Sequence, residues 1–178
     1  MAHLQQQIYC FRVKDRFPKY FKNAKVLDVG SLDINGSNRN FFESCKYLGI
    51  DIADGKNVDY VSIAHEFTAP DGFYDTIIST EVFEHDMYVD KSLKNIIRLL
   101  KPGGLFLFTC ATTGRPEHGT IFAHPESSPL TTKLPGWDSY YKTLTEQDIR
   151  IYLDIENIFS KFEFSVLGND LRFWGIKK

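Results

Sequence analysis

Short apolar runs alternate with amphipathic stretches along most of this chain of 178 residues. The runs cover residues 25–29, 47–50, 58–62, 74–79 and 105–109. Each has the length of a strand and is bounded by polar or glycine-containing segments. Between the last two runs, apolar side chains at i, i+4, i+7, i+8 and i+11 from Val89 predict a helix that ends before Pro102. This alternation predicts an α/β fold with a mainly parallel sheet.

The two ends of the chain have different patterns. Residues 1–23 predict an N-terminal helical segment that Pro18 interrupts. Near the other end, Thr145 and Asp148 have the spacing of a capping box at the start of a helix. Two apolar runs within 162–176 flank a Gly-Asn-Asp turn and predict a hairpin. The last strand is therefore expected to be antiparallel.

Residues 111–143 contain Gly, Pro, Ser and Thr without a helical or strand period. A loop of about thirty residues is uncommon inside a compact domain and is often functional. We expect residues 1–178 to form one domain in which 111–143 is a lid or substrate loop. In a doubly wound sheet, ligands bind beyond the carboxyl ends of the strands, so the site is expected there.

Composition narrows the function classes. The formal net charge is −2, and no basic face is evident, which disfavours a nucleic-acid partner. No apolar run has the roughly 18 residues that span a bilayer, and the polar N-terminus lacks a signal-peptide pattern, so no membrane partner is expected. The cysteines, Cys10, Cys45 and Cys110, are odd in number and have no metal-ligand spacing. We expect a cytoplasmic protein.

The segment Asp28-Val29-Gly30-Ser31 lies between the first strand and the next predicted helix. Gly30 allows a sharp turn, and a helix starting near Asn38 would offer free N–H groups to a carboxylate or phosphate. Asp51 ends the second strand, where an acid can accept hydrogen bonds from a ribose diol. The alternative is that Asp51 only caps a turn.

Two ligand classes fit these features, a nicotinamide dinucleotide and S-adenosylmethionine. The dinucleotide fingerprint requires G-x-G-x-x-G. After Gly30, Leu32 and Asn35 occupy the positions of the second and third glycines. A pyrophosphate would then lack its close approach to the backbone, which counts against a nicotinamide cofactor.

Four segments, VLDVGSLDINGS, YLGID, FYDTIISTEVFEH and LLKPGGLFLF, together with the terminal hairpin, resemble class I S-adenosylmethionine-dependent methyltransferases. The similarity is greatest to the small-molecule enzymes of the methyltransferase domain 11/type 23 group. It implies a Rossmann-like, doubly wound sheet of seven strands in the order 3-2-1-4-5-7-6. The crossover helices after the second and third strands are reduced here, so a minimal version of the fold is expected.

The resemblance also implies cofactor contacts in the first two strand-end loops. Asp28, Gly30 and Ser31 match the motif that contacts the methionine end of S-adenosylmethionine. Asp51 matches the acid that binds ribose, and Ile52 matches the apolar neighbour that packs on adenine.

Two further loops match cofactor-binding positions of the family. Ala64 and His65 match the loop near the adenine amino group. Thr80, Glu81 and Val82 match the loop beside the sulfonium, which makes Glu81 a catalytic candidate as well.

The Glu84-His85 dipeptide matches a Glu-His pair of the family. His85 can equally serve to hold the turn through a hydrogen bond to the backbone, and His65 has a similar alternative. No histidine or acid pair has the spacing of metal ligands, so no metal is expected.

Methyl transfer is an in-line displacement that requires an aligned acceptor, and a hydroxyl acceptor also requires a base. His118 is the candidate base because its ordinary pKa is near neutrality. Glu117 can orient His118 or the acceptor, and Arg115 can bind an anionic acceptor. The alternative is an exposed loop without a catalytic role.

Aromatic residues near the end of the long loop, Trp137, Tyr140 and Tyr141, can form walls of an acceptor pocket or anchor the loop to the core. Aromatic walls would suit a sugar. The sequence lacks the N/D-P-P-Y/F segment that DNA and protein amino-methylating enzymes of this fold carry after the fourth strand.

We therefore expect a methyltransferase that uses S-adenosylmethionine to methylate a small-molecule hydroxyl or amine. A cofactor-binding module without catalysis, such as a partner subunit, is the alternative suggested by the short chain. A nicotinamide-dependent oxidoreductase fits less well because of the missing glycines.

Overall fold

The computed structural model describes residues 4–178. Seven strands form one sheet in the order β3-β2-β1-β4-β5-β7-β6, which confirms the expected order. The strands are β1 (Lys25–Val29), β2 (Lys46–Asp51), β3 (Tyr60–Val61), β4 (Tyr74–Thr80), β5 (Leu100–Ala111), β6 (Phe159–Leu167) and β7 (Asp170–Lys177). Among these strands β7 runs antiparallel to the rest, pairing with β5 and β6, as the hairpin pattern predicts.

Four α-helices accompany the sheet. They are α1 (Leu4–Arg16), α2 (Val89–Leu99), α3 (Glu146–Tyr152) and α4 (Ile155–Ile158). Thr145 and Asp148 form the expected capping box at the start of α3. Within the described residues, no helix is both long and apolar enough to cross a membrane.

The parallel strands place their carboxyl ends along one edge of the sheet. In β1, Val29 is in register with Ile50 of β2 on one side and with Ser79 of β4 on the other. Thr80 is in register with Thr109 of β5. The loops that follow β1, β2, β4 and β5 therefore start side by side.

Successive residues of the central strands contribute to different faces of the sheet, because side chains alternate along a strand. Leu27 and Ile77 belong to the core that includes α2, whereas Val26 and Ile78 pack with residues of α1. All four side chains are fully buried. A sheet covered on both faces explains why these strands are continuous apolar runs.

Two of the predicted helices differ in the structure. The expected helix near Asn38 is one 3-10 turn, Asn38–Phe41, and the side chain of Ser37 accepts a hydrogen bond from the N–H of Arg39. So short a turn has no appreciable dipole, which removes the argument that its N-terminus binds an anion. The helix expected after Thr145 is divided into α3, which ends at Tyr152, and α4, which begins at Ile155.

The N-terminal segment consists of α1 followed by a 3-10 turn at Pro18–Phe21, and residues 1–3 of the expected segment lie outside the described residues. The long loop between β5 and α3 contains only two 3-10 turns, Pro125–Ser127 and Thr131–Lys133. Cys10 and Cys110 are buried free thiols, whereas Cys45 is partly exposed.

Leu93 of α2 provides a test of how the sheet is covered. Its side chain is fully buried in the core, so truncation to alanine should lower the free energy of unfolding by about 2–5 kcal/mol. Leu4 of α1 is 71% exposed, and Leu4→Ala is the matched control, which we expect to change stability by less than about 0.5 kcal/mol. Urea denaturation measures both values, and equal effects would contradict the described packing.

Candidate functional site

A cavity opens beyond the carboxyl ends of β1, β2 and β4, where ligands of doubly wound sheets bind. Strand-end loops contribute Asp28, Val29, Gly30, Ser31, Leu32, Ile34, Gly36, Ser37, Asn38, Ile50, Asp51, Ile52, Ser62, Ile63, Ala64, Thr80, Glu81, Val82, His85 and Asp86. The long loop after β5 contributes Ser127, Ser128, Pro129, Leu130, Thr131 and Trp137. The cavity thus lies between the sheet edge and the long loop.

Asp28 is a buried acid in the wall of this cavity. The hydroxyl of Tyr47 donates a hydrogen bond of 2.6 Å to its Oδ2, while Oδ1 has no hydrogen-bond partner among the described residues. Burial raises the pKa of Asp28 to about 7. An additional donor, above all a cationic one, would satisfy Oδ1 and stabilise the carboxylate.

Gly30 makes the turn after β1 with a φ of 77°, in the left-handed region that favours glycine. A Cβ atom there would lie 2.0 Å from Cγ2 of Val82. Only a residue without a side chain therefore allows the loop after β4 to approach the loop after β1. Gly30 and Val82 both line the cavity.

Hydrogen bonds and one ion pair to the carboxylates of Asp33 and Asp51 hold the expanded loop that follows Gly30. Asp33 accepts a hydrogen bond from the N–H of Gly36, and its other oxygen pairs with Lys56 at 2.8 Å. The N–H of Leu32 donates to Asp51. These contacts hold the loop where the family's usual motif has a glycine-rich turn.

Asp51 lies at the end of β2 and faces the cavity. Its Oδ2 accepts the N–H of Leu32 at 3.0 Å, and its Oδ1 accepts the N–H of Ile52 at 2.8 Å. Each carboxylate oxygen has a further lone pair, so both can still accept a ligand hydroxyl. Burial raises the pKa of Asp51, which two new donors would counteract.

Of the residues matched to the adenine region, some line the cavity and one does not. Ile52 and Ala64 line the cavity, and so do Ser62 and Ile63. His65 does not line it, and its ring instead packs on Tyr88, with 4.6 Å between the ring centroids. The cofactor contact of His65 stays a prediction, and its Nδ1 has no hydrogen-bond partner among the described residues.

The matched loop after β4, Thr80, Glu81 and Val82, lines the cavity. Glu81 is buried and has a φ of 56°, which is uncommon for a residue with a side chain. The hydroxyl of Thr109 donates to its Oε1 at 2.9 Å. Burial, and next the charge of Glu84, raise the pKa of Glu81 well above its usual value.

Glu84, His85 and His118 converge beside the cavity. One ligand-type atom from each lies within 4.8 Å of those of the other two. Tyr141 packs against both imidazoles, with ring centroids 5.6 Å from His85 and 5.0 Å from His118. Sequence spacing predicts no such cluster because His118 comes from a different loop, after β5.

The long loop positions its predicted residues in different ways. Arg115 pairs with the buried Asp170 at 3.1 Å, and Glu117 accepts a hydrogen bond from Thr120. Both are thus engaged within the protein. Of the aromatic candidates, Trp137 lines the cavity, whereas Tyr140 and Tyr141 do not.

Several cavity residues have no counterpart among the predicted site residues. Asn38 donates to Thr80 at 3.0 Å and keeps a buried Oδ1 without a partner among the described residues. Asp86 follows the Glu-His pair directly, and burial raises its pKa. Residues 127–131 lie in the loop without a period, where no sequence signal distinguishes lining residues from others.

The hydrogen-bond acceptors and apolar side chains of the cavity fit S-adenosylmethionine. The orphan Oδ1 of Asp28 suits a cationic amino group, and the open lone pairs of Asp51 suit the two hydroxyls of a ribose. Ile52, Ile63 and Ala64 provide an apolar wall of the kind that packs on a base. The three requirements occur along one continuous cavity.

Comparison with solved structures supports the fold. Phosphoethanolamine N-methyltransferase 2 of Haemonchus contortus, solved with S-adenosyl-L-methionine, superposes with a TM-score of 0.68 at 16% identity. The match covers 98% of this chain and 52% of the nematode chain. The 1,6-didemethyltoxoflavin-N1-methyltransferase of Burkholderia thailandensis superposes at 0.64 with 13% identity, covering 97% and 78% of the two chains.

A curated relative is the highly reducing polyketide synthase azaB of Aspergillus niger, 32% identical over 111 residues. That match covers 61% of this chain and 4% of the synthase, so the chain spans a small part of that protein and about half of the nematode enzyme. The profile of the family described as "Methyltransferase domain" matches residues 1–167. The chain therefore belongs to this family of S-adenosylmethionine-dependent methyltransferases.

Proposed function

We propose that this chain methylates a small-molecule acceptor that enters between the strand-end loops and the long loop after β5. The main support for this proposal is the cavity. The residues that match the cofactor-binding motifs line one side of it, and residues 127–131 and Trp137 line the other. The two sets of residues face one cavity, so a bound cofactor and a small acceptor could meet there.

Donor binding is assigned to the first two strand ends. Asp28 would accept a hydrogen bond from the amino group of the methionine part, and Asp51 would accept those of the ribose. Ile52 and Ala64 would pack on the adenine. When bound, S-adenosylmethionine supplies an electrophilic methyl group on a positively charged sulfur.

The long loop provides the acceptor side of the proposal. Covering the cavity excludes water and limits the orientations of the acceptor, both of which favour an in-line displacement. Related enzymes are named for small acceptors, phosphoethanolamine and 1,6-didemethyltoxoflavin. These names support a metabolite acceptor for this chain and leave its identity to experiment.

His118 is proposed to assist deprotonation of the acceptor. Its Nδ1 lies 3.0 Å from the carbonyl oxygen of Pro116, which can only accept a hydrogen bond. In a neutral ring Nδ1 therefore carries the proton, and Nε2 keeps a lone pair. The ring packs against His85, whose side chain lines the cavity.

Asp51 provides the test of donor binding. S-adenosylhomocysteine at 100 times Kd should add about 2.7 kcal/mol of stability and raise the wild-type Tm by about 5–11 °C. Asp51→Ala should abolish most of that shift, because the ribose hydroxyls lose their acceptor. The control is Asp54→Ala, an exposed acid of the same loop, which should keep the full shift. Unchanged affinity of Asp51→Ala would refute the ribose assignment.

A substitution at Gly30 tests whether cofactor binding depends on the close approach between the loops after β1 and β4. Gly30→Ala directs a methyl group into Val82, and overpacking of this kind costs about 1–3 kcal/mol. We expect S-adenosylhomocysteine affinity to fall about 10-fold or more, measured by calorimetric titration. The control is Gly103→Ala, which has nearly the same φ, 75°, but nothing within 4 Å of the new methyl group. Similar affinities of the two variants would show that the approach is irrelevant to binding.

His118 tests the acceptor side. A pool of small molecules from a cell extract, incubated with labelled S-adenosylmethionine, should yield a methylated product that identifies the acceptor. His118→Ala should lower the rate on that acceptor at least about 100-fold. His124→Ala, an exposed histidine of the same loop, should leave it unchanged. A full rate in His118→Ala would exclude the proposed role, and tight cofactor binding without any labelled product would favour a non-catalytic module.

A further inference from the structure

The side chain of Glu84 is not explained by donor binding. It is fully buried, and neither carboxylate oxygen has a hydrogen-bond partner among the described residues. A buried carboxylate is unfavourable when ionised unless a counter-charge or hydrogen bonds compensate it. Glu81 is close enough that the charge of Glu84 raises its pKa, so two acids share one buried region. A cation in this region would stabilise both.

Two imidazoles complete a set of ligands beside this carboxylate. The ligand-type atoms of Glu84, His85 and His118 lie within 4.8 Å of one another. Two histidines and one carboxylate are ligands of first-row divalent metals such as zinc, iron(II) and manganese. A cation bound at about 2.0–2.2 Å from each atom would draw the three atoms together by small side-chain movements.

Both imidazoles are held by the surrounding structure. Nδ1 of His118 is hydrogen bonded to the backbone carbonyl of Pro116, the partner that orients many metal-binding histidines through their other nitrogen. Tyr141 donates to the same carbonyl at 3.1 Å and packs on both rings. A Cβ at Gly119 would lie 2.7 Å from Cε1 of His85, so the loop backbone encloses this ring closely.

We propose that Glu84, His85 and His118 bind one divalent cation, and that this cation coordinates a hydroxyl oxygen of the acceptor. His85 connects the cluster to the cavity, because its side chain lines the wall beside Glu81. The inference rests on the proposed methyltransferase function and names its acceptor class as a hydroxyl compound. It replaces the sequence-based expectation that the protein binds no metal.

Three protein ligands leave coordination positions open, as in catalytic rather than structural metal sites. Coordination lowers the pKa of a hydroxyl, so the acceptor releases its proton to water. A bond then forms between the acceptor oxygen and the methyl carbon. The methyl–sulfur bond breaks and leaves its electron pair on sulfur, so no oxidant or reductant is needed. In this arrangement His118 contributes as a ligand and not as the proton acceptor.

Metal binding can be measured without the acceptor. The full chain, stripped with EDTA and dialysed against Zn²⁺, Mn²⁺ or Fe²⁺ under anaerobic conditions, should retain about one equivalent of at least one of these ions by elemental analysis. His118→Ala and Glu84→Gln should each weaken that binding at least about 10-fold. His124→Ala is the matched control, because His124 is exposed and lies near another acid, Glu126, outside the cluster.

Two results would overturn the proposal. One is the absence of saturable binding of all three ions to the stripped wild-type protein. The other is binding that His118→Ala leaves unchanged. His118 is partly exposed, so its alanine variant is expected to fold even if Glu84→Gln does not, and a wild-type Tm shift with S-adenosylhomocysteine verifies the fold.

The experiments distinguish a failure of the metal proposal from a failure of the proposed methyltransferase function. If S-adenosylhomocysteine does not raise the Tm, the proposed function fails whatever the metal does. If the stripped protein binds S-adenosylhomocysteine and methylates its acceptor at the full rate in EDTA, the function stands and the metal inference is wrong. A rate that EDTA lowers at least about 10-fold, and that one of the three ions restores in wild type but not in His118→Ala, supports both.

Discussion

Parallel pairing of β1 with β2 on one side and β4 on the other is the constraint on which the site depends. A central parallel strand is hydrogen bonded along both edges and covered on both faces, so groups that bind a ligand lie at its carboxyl end. Here the carboxyl ends of three neighbouring strands are in register. Asp28, Asp51 and Glu81 therefore meet around one cavity although they are far apart in sequence.

The electrostatics of the cavity follow from the same arrangement. Acids at strand ends lie against the core, and burial raises the pKa values of Asp28, Asp51 and Glu81. Hydrogen bonds from Tyr47, backbone N–H groups and Thr109 offset this cost in part. The remaining cost is relieved when a ligand brings donors or positive charge. The site is thus built to favour cationic and hydroxyl-bearing partners.

The same electrostatic argument applies to the proposed cation site at Glu84, His85 and His118. Burial lowers the pKa of His85 to about 4, so its imidazole is neutral over the physiological range. The buried carboxylate of Glu84 has no hydrogen-bond partner among the described residues, and the imidazoles of His85 and His118 offer nitrogen ligands beside it. A divalent cation would supply the missing positive charge.

Hydrophobic periodicity by itself determined the strands, α2 and the terminal hairpin, because burial on one or two faces leaves a local pattern in the sequence. Most strand-end residues between Asp28 and Val82 that match family motifs line the cavity, since a motif and its strand are contiguous. Propensity failed near Asn38, where Ser37 caps a single turn whose length depends on packing. Only the tertiary structure decided that His65 turns away from the cavity, that residues 127–131 enter it, and that His118 meets Glu84. These contacts join segments distant in sequence through a loop without periodicity, and no local pattern encodes such distances.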